Sequence, residues 1–148
     1  MTIATWCAEE LKREGVATRK YLERVPEARF DFAPHLKSMK LGVLAGHLSE
    51  IAGWTKETIT LDEMVFEPAT YVPFMPKTTA EIVQRFDERL AVALETLNGV
   101  SDEHMQKHWK MSMGDHVLFD MPRVLVMRNM VLNHTVHHRA QLGVYLRL

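Results

Sequence analysis

Asn133-His134-Thr135-Val136-His137-His138-Arg139-Ala140-Gln141-Leu142 lies inside a long apolar-periodic stretch near the end of the 148-residue chain. His134 and His138 are four residues apart. On an α-helix that spacing stacks two side chains on one face, with roughly 5–6 Å between their Cβ atoms. At 3.6 residues per turn, Met127, Met130 or Val131, His134, His138, Leu142 and Tyr145 share one side. Both histidines therefore fall in a stripe that faces a core, while His137 points away. Asp120 before Met121-Pro122 is a helix start signal, because proline is favoured in the first turn. The last helix is predicted from there to Leu148.

Working outward, three further helices are predicted. The first carries Ile3, Cys7, Leu11, Leu22 and Val25 on one stripe and ends at Pro26. The second starts near Ser38, turns Leu41, Leu44, Leu48, Ile51 and Trp54 inward, and fades before Pro68. The third is capped by Thr78 or Thr79, buries Ile82, Phe86, Leu90 and Leu97, and stops at Gly99. Pro68, Pro73 and Pro76 make residues 66–76 an extended crossover. Residues 101–119 read as a short helix followed by an irregular or hairpin segment around Gly114-Asp115. No useful strand-like alternation is visible. The expected fold is all-α: one domain, residues 1–148, forming a four-helix bundle with a long crossover between helices 2 and 3.

Composition excludes several function classes. The formal net charge is −1, and no basic run gives a footprint for nucleic acid or an anionic membrane. No apolar run is long enough for a membrane span, and no signal-like segment opens the chain. Cys7 is the only cysteine, which rules out an intrachain disulfide and predicts a reducing, cytoplasmic location. Its place in the first helix's apolar stripe marks it as a small buried hydrophobe and not a nucleophile.

Two imidazoles at i and i+4 can close on one metal ion, and a third would complete a site. His47 is the matching candidate, since Leu44, His47, Ile51 and Trp54 share the inward stripe of the second helix. A single inward histidine is more simply a core residue bonded to a carbonyl or water. Three of them among leucines, isoleucines and valines lack such partners, and burial without partners is costly. His47 lies ~13 Å inside the start of its helix, and the His134/His138 midpoint ~17 Å from the other end, at 1.5 Å per residue. Antiparallel packing of these helices brings the three rings to one height. His104 and His108 share the four-residue spacing but neighbour Gln106, Lys107 and Lys110, which marks a solvated short helix. His35 and His116 fall in predicted surface loops. Glu50 follows His47 by three residues, as in di-iron bundles, but the chain after Asp120 has no Asp or Glu to complete such a site.

Gly46-His47-Leu48 and the 133–142 motif, with the helix order and the crossover, resemble the DinB family within the DinB/YfiT-like metalloenzyme superfamily. The resemblance covers effectively the whole chain. Ala140 replaces the glycine usual in the His-His-Arg-Gly-Gln motif, and the chain ends soon after it, which predicts a more open pocket. The resemblance implies that His47, His134 and His138 bind one divalent metal, commonly nickel or zinc, inside an up-down-down-up bundle. It also implies a metal-dependent transferase using a low-molecular-weight thiol, with a hydrolase as the variant. A non-enzymatic metal-binding stress or interaction module is the alternative from another class, and a homodimer is expected. Phe66, Tyr71, Phe74, Met111 and Met113 are candidates to wall a substrate pocket, or equally to pack a core or dimer face. Glu50 is read as a ligand-orienting group, a base or a solvated helix-face residue. Arg123, Arg128 and Arg139 are the candidate anion clamps.

Overall fold

The computed structural model describes residues 1–148. Thr2 caps helix α1 (Ile3–Leu22), its hydroxyl accepting from the Thr5 N–H. Ala4, Cys7, Leu11, Gly15, Thr18 and Leu22 form the buried stripe of that helix, at the spacing a one-sided core contact requires. The second helix begins later than Ser38. Helix α2 (Leu41–Glu50) follows Lys40, and Ser38 instead closes a turn onto the His35 carbonyl. A 3₁₀ turn, Ile51–Gly53, leads into α3 (Trp54–Thr60). Gly53 lies close under Arg89, where a Cβ would come 2.7 Å from Cδ of that flexible side chain.

Helix α4 (Thr79–Leu97) starts as expected. The Thr78 hydroxyl accepts from the Glu81 N–H, and the Glu81 carboxylate accepts from the Lys77 N–H. It stops before Gly99, whose φ of +74° suits a residue without a side chain. A five-residue helix α5 (Asp102–Gln106) is capped by Ser101. The C-terminal helical run has three parts: α6 (Arg123–Val126), a π-helical segment Met127–Leu132, and α7 (Asn133–Tyr145). Helix α1 packs against α4 and α7, and α2 packs against the same two. One apolar core, including Leu11, Leu48, Phe86, Val131 and Leu142, runs between them.

The expectation of an all-α, up-down-down-up four-helix bundle is corrected by a three-stranded mixed sheet. Strands β1 (Glu63–Val65), β2 (His108–Met113) and β3 (His116–Pro122) lie in that order. β1 pairs with β2 in parallel, and β2 with β3 antiparallel. The hairpin around Gly114-Asp115 is present, with Gly114 at φ +56° in the first loop position. The parallel pair is possible because residues 66–107, including α4, supply the long connection it needs. Asp120-Met121-Pro122 ends β3 instead of opening the last helix, which starts at Arg123.

Two features hid these strands. A register shift between Met111 and Ser112 breaks the period-2 pattern in β2, and β1 is three residues long, stable only through its partner. Arg123 then ties sheet to helices. Its side chain is 1% exposed and donates to the carbonyls of Thr58 (3.0 Å), His108 (2.9 Å) and Leu61 (2.8 Å), and to Asp62 Oδ1 (2.9 Å). It is a structural cation and not an anion clamp.

Candidate metal centre

The three inward histidines meet. His47 comes from α2, and His134 and His138 come from successive turns of α7. His47 Nε2 is 3.2 Å from His134 Nε2, which is 2.7 Å from His138 Nε2. All three donor atoms lie within 4.8 Å of one another. With metal–nitrogen bonds of about 2.0–2.1 Å, neighbouring ligand nitrogens are about 2.9–3.3 Å apart, close to the two separations found.

The outer partners of the rings set which nitrogen is free. His138 Nδ1 is 2.7 Å from Gln141 Oε1, an oxygen that only accepts, so Nδ1 carries the proton. The backbone of Met130, one turn back within the π-helical segment, also bears on the His134 ring. His138 Nε2 is then unprotonated and free to ligate, and it faces His134 Nε2. The donor set therefore fits a metal ion, and Gln141 and Met130 act as the orienting contacts such a site needs.

Burial also keeps the rings neutral. It pushes His47 down to about 4, with His138 and His134 adding to the effect. The other two are likewise lowered, first by burial: His134 then by His138 and His137, and His138 by His137. Contacts with the Met130 backbone and Gln141 partly oppose those shifts. Neutral imidazole is the form that ligates.

His47 also lines a chamber of about 740 Å³. The crossover contributes Phe66, Tyr71, Pro73 and Phe74, and the hairpin contributes Trp109, Met111, Leu118 and Phe119. Of the five wall residues expected from sequence, Phe66, Tyr71, Phe74 and Met111 line it, whereas Met113 is 42% exposed. Gly46 makes this possible: a Cβ there would lie 2.8 Å from the Phe74 carbonyl oxygen and 2.9 Å from Pro76 Cδ. The crossover thus presses on α2 one residue before His47. Trp54 flanks the triad, its ring centroid 5.8 Å from His47 and 5.3 Å from His134.

The remaining candidates separate cleanly. His137, His35 and His116 are exposed as expected. His104 and His108 do not form a pair: His104 Nε2 bonds the Ile59 carbonyl at 2.8 Å, and His108, on β2, bonds Asp120 at 2.7 Å. Cys7 is buried, and burial pushes its thiol up to about 11. Arg139 donates to the Glu14 carbonyl and Thr18 hydroxyl and pairs with the Glu14 carboxylate, fastening α7 to α1. Glu50 is half-buried in the chamber wall, with Arg85 at 3.6 Å and Arg89 at 3.9 Å. Gln141, Glu57 and Trp109 are residues around the site that sequence reasoning missed, and Trp54 was placed on the His47 stripe without a role at the site. Of the missed three, only Gln141 carried a signal, its place three residues after His138 on the same helix.

No helix is long and apolar enough to cross a membrane. No curated protein matches the chain. Among solved structures, a DinB-like protein (YjoA) of Bacillus subtilis aligns with a TM-score of 0.71 over 96% of this chain and 90% of that one, at 13% identity. That likeness speaks for the fold alone. A sequence model of the DinB superfamily matches residues 10–142. With the match spanning most of its length, the chain belongs to the DinB superfamily.

Proposed function

We propose that the protein holds one divalent ion, nickel or zinc, through His47, His134 and His138, and is a transferase that joins a low-molecular-weight thiol to an electrophile. The observation that carries this reading is the convergence of three Nε2 atoms at the wall of a large chamber. Three protein ligands leave coordination positions open, which is the arrangement of catalytic and not closed structural sites. When bound, such an ion lowers the pKa of a coordinated thiol or water and polarises a substrate. The chain's own part is positional. Gln141 holds His138 in its ligating tautomer, Trp54 packs against the triad, and the apolar walls exclude water from the electrophile. In the transfer, the thiol sulfur forms a bond to the electrophilic carbon and the leaving group departs with its electron pair, while the thiol proton passes to solvent.

The test has two stages. Elemental analysis should find about one ion per chain in wild type and a large loss in His47→Ala and His134→Ala; full occupancy in either variant sinks the three-histidine site. The metal-loaded protein is then offered bacillithiol, mycothiol or glutathione beside electrophiles. Turnover that disappears in His138→Ala supports the transferase. Hydrolysis without thiol consumption points to the hydrolase, and no reaction with any of them refutes the enzyme reading.

A further inference from the structure

We infer that the chamber beside His47 is a site for an organic cation, an alkylated ammonium group held against aromatic faces with Glu50 as its counter-ion. Of the eighteen lining residues, Glu50 and Glu57 are carboxylates and none is lysine or arginine. Trp54, Phe66, Tyr71, Phe74 and Phe119 line the same space, and none of them is fully buried. An aromatic face attracts a cation within about 6 Å of the ring centroid, and a carboxylate attracts it over a longer range. An anionic group meets neither attraction there. The transferase reading decides only whether this cation belongs to the electrophile; its binding needs no metal.

Glu50 and Trp54 are four residues apart and both line the chamber, so carboxylate and indole stand about one turn from each other. Arg85 and Arg89 approach Glu50 from α4 at 3.6 and 3.9 Å, too far for hydrogen bonds, and neither lines the chamber. The charge of Glu50 still reaches inside: the Tyr71 hydroxyl is held above its ordinary value, first by burial and then by Glu50. Phe74 already makes a contact of this kind, with the Arg85 guanidinium carbon 4.3 Å from its ring centroid. Phe66 and Tyr71 stand beside each other in the wall, their ring centroids 5.4 Å apart. The rest of the lining selects alkylation of the nitrogen. A primary ammonium brings three N–H donors, for which a mostly apolar wall has few acceptors, whereas a trimethylammonium has no N–H to satisfy.

Choline, 3,3-dimethylbutan-1-ol and 3,3-dimethylbutanoate share one branched frame and carry a positive, no and a negative charge. Each is titrated into the metal-free protein. The indole N–H signals of Trp54 and Trp109 in two-dimensional NMR spectra report occupancy, with the exposed Trp6 as control. Choline should bind about 5–30-fold tighter than the alcohol, and the carboxylate should bind weakest. Glu50→Gln keeps the shape of the wall and should remove most of that preference without changing the affinity for the alcohol. Phe66→Leu keeps the wall apolar and should also lower the preference while the alcohol stays bound. Far-UV circular dichroism checks folding; if Glu50→Gln does not fold, Phe66→Leu and the wild-type ranking carry the test. Absence of saturable choline binding, equal affinity for choline and the alcohol, tighter binding of the carboxylate, or a preference that survives both variants overturns the cation site. Choline preference without thiol transfer in the metal-loaded protein refutes the transferase and spares the cation site. Thiol transfer without choline preference does the reverse.

Discussion

Replacing Arg123 by methionine tests whether the sheet is fastened to the helices through carbonyls or through charge. The guanidinium serves three backbone carbonyls and one carboxylate, but Asp62 is 99% exposed on its side chain and Arg123 only 1%. An exposed carboxylate contributes at most about 1 kcal/mol to such a pair. Three carbonyls left without a donor cost about 1–3 kcal/mol each, so roughly 3–9 kcal/mol in all. Against this stands the desolvation of the buried cation, several kcal/mol, which methionine removes. The carbonyl loss outweighs that recovery, and Arg123→Met should destabilise the fold by about 2–4 kcal/mol, or roughly 4–16 °C in Tm for a domain of this size. Asp62→Ala should change stability by less than about 1 kcal/mol. Urea denaturation followed by circular dichroism measures both. Arg123→Met within about 1 kcal/mol of wild type, or Asp62→Ala as damaging as Arg123→Met, would refute the carbonyl account.

Gly46→Ala sets a helix-propensity gain of about 1 kcal/mol against overpacking of about 1–3 kcal/mol, because the obstructing atoms are the Phe74 carbonyl and the Pro76 ring. It should destabilise, whereas Gly15→Ala, which crowds the flexible Leu90 side chain and meets Phe86 at ordinary contact distance, should be neutral or stabilising; the opposite order in urea midpoints counts against the crossover contact. Gln141→Leu should weaken metal affinity about 10–100-fold with the fold intact, as competition with a chromogenic chelator would read; unchanged affinity means Gln141 does not orient His138. Metal-free protein should lose stability on acidification. His47 is held down to about 4 in the fold, against about 6.5 when unfolded, so between those values the unfolded chain binds more protons and stability rises with pH. The penalty is absent above about 6.5 and complete below about 4, and His47→Ala should flatten the stability–pH curve between about pH 4 and 6.5; equal slopes in variant and wild type would refute the assignment.

The long helices and the triad were legible because both are written in local periodicity. Leu44, His47, Ile51 and Trp54 keep helical spacing, and His134 and His138 sit in a stripe whose inward direction follows from Val131 and Leu142. Beyond the hairpin position at Gly114-Asp115, the sheet was not legible, because its stability is non-local. Glu63-Met64-Val65 pairs with residues 110–112 across the whole of α4, and the shift at Met111/Ser112 erases the alternation that would have marked β2. Arg123 failed for a related reason. A lone arginine after a proline reads only as a candidate anion clamp, and only the fold brings it under Thr58, Leu61 and His108.

The unpredicted sheet also changes what the histidines can do. A bundle alone would enclose His47, His134 and His138 among helix side chains and leave little beside them but packed core. Here the crossover leaves α3 through β1, which pairs directly with β2, so Trp109, Met111 and Phe119 of the hairpin line one chamber together with Phe66, Phe74 and His47. Gly46 lets the crossover approach, Arg123 holds the sheet at its distance, and the π-helical segment brings the Met130 backbone to His134. These are separate contacts on separate elements, so their effects can be told apart. Loss of Gly46 or Arg123 should disturb the chamber while the α7 pair stays in register, and loss of Gln141 should disturb the pair while the chamber stays open. A chamber and a histidine triad that fail independently under those variants are two structures sharing one wall, and His47 is the residue that belongs to both.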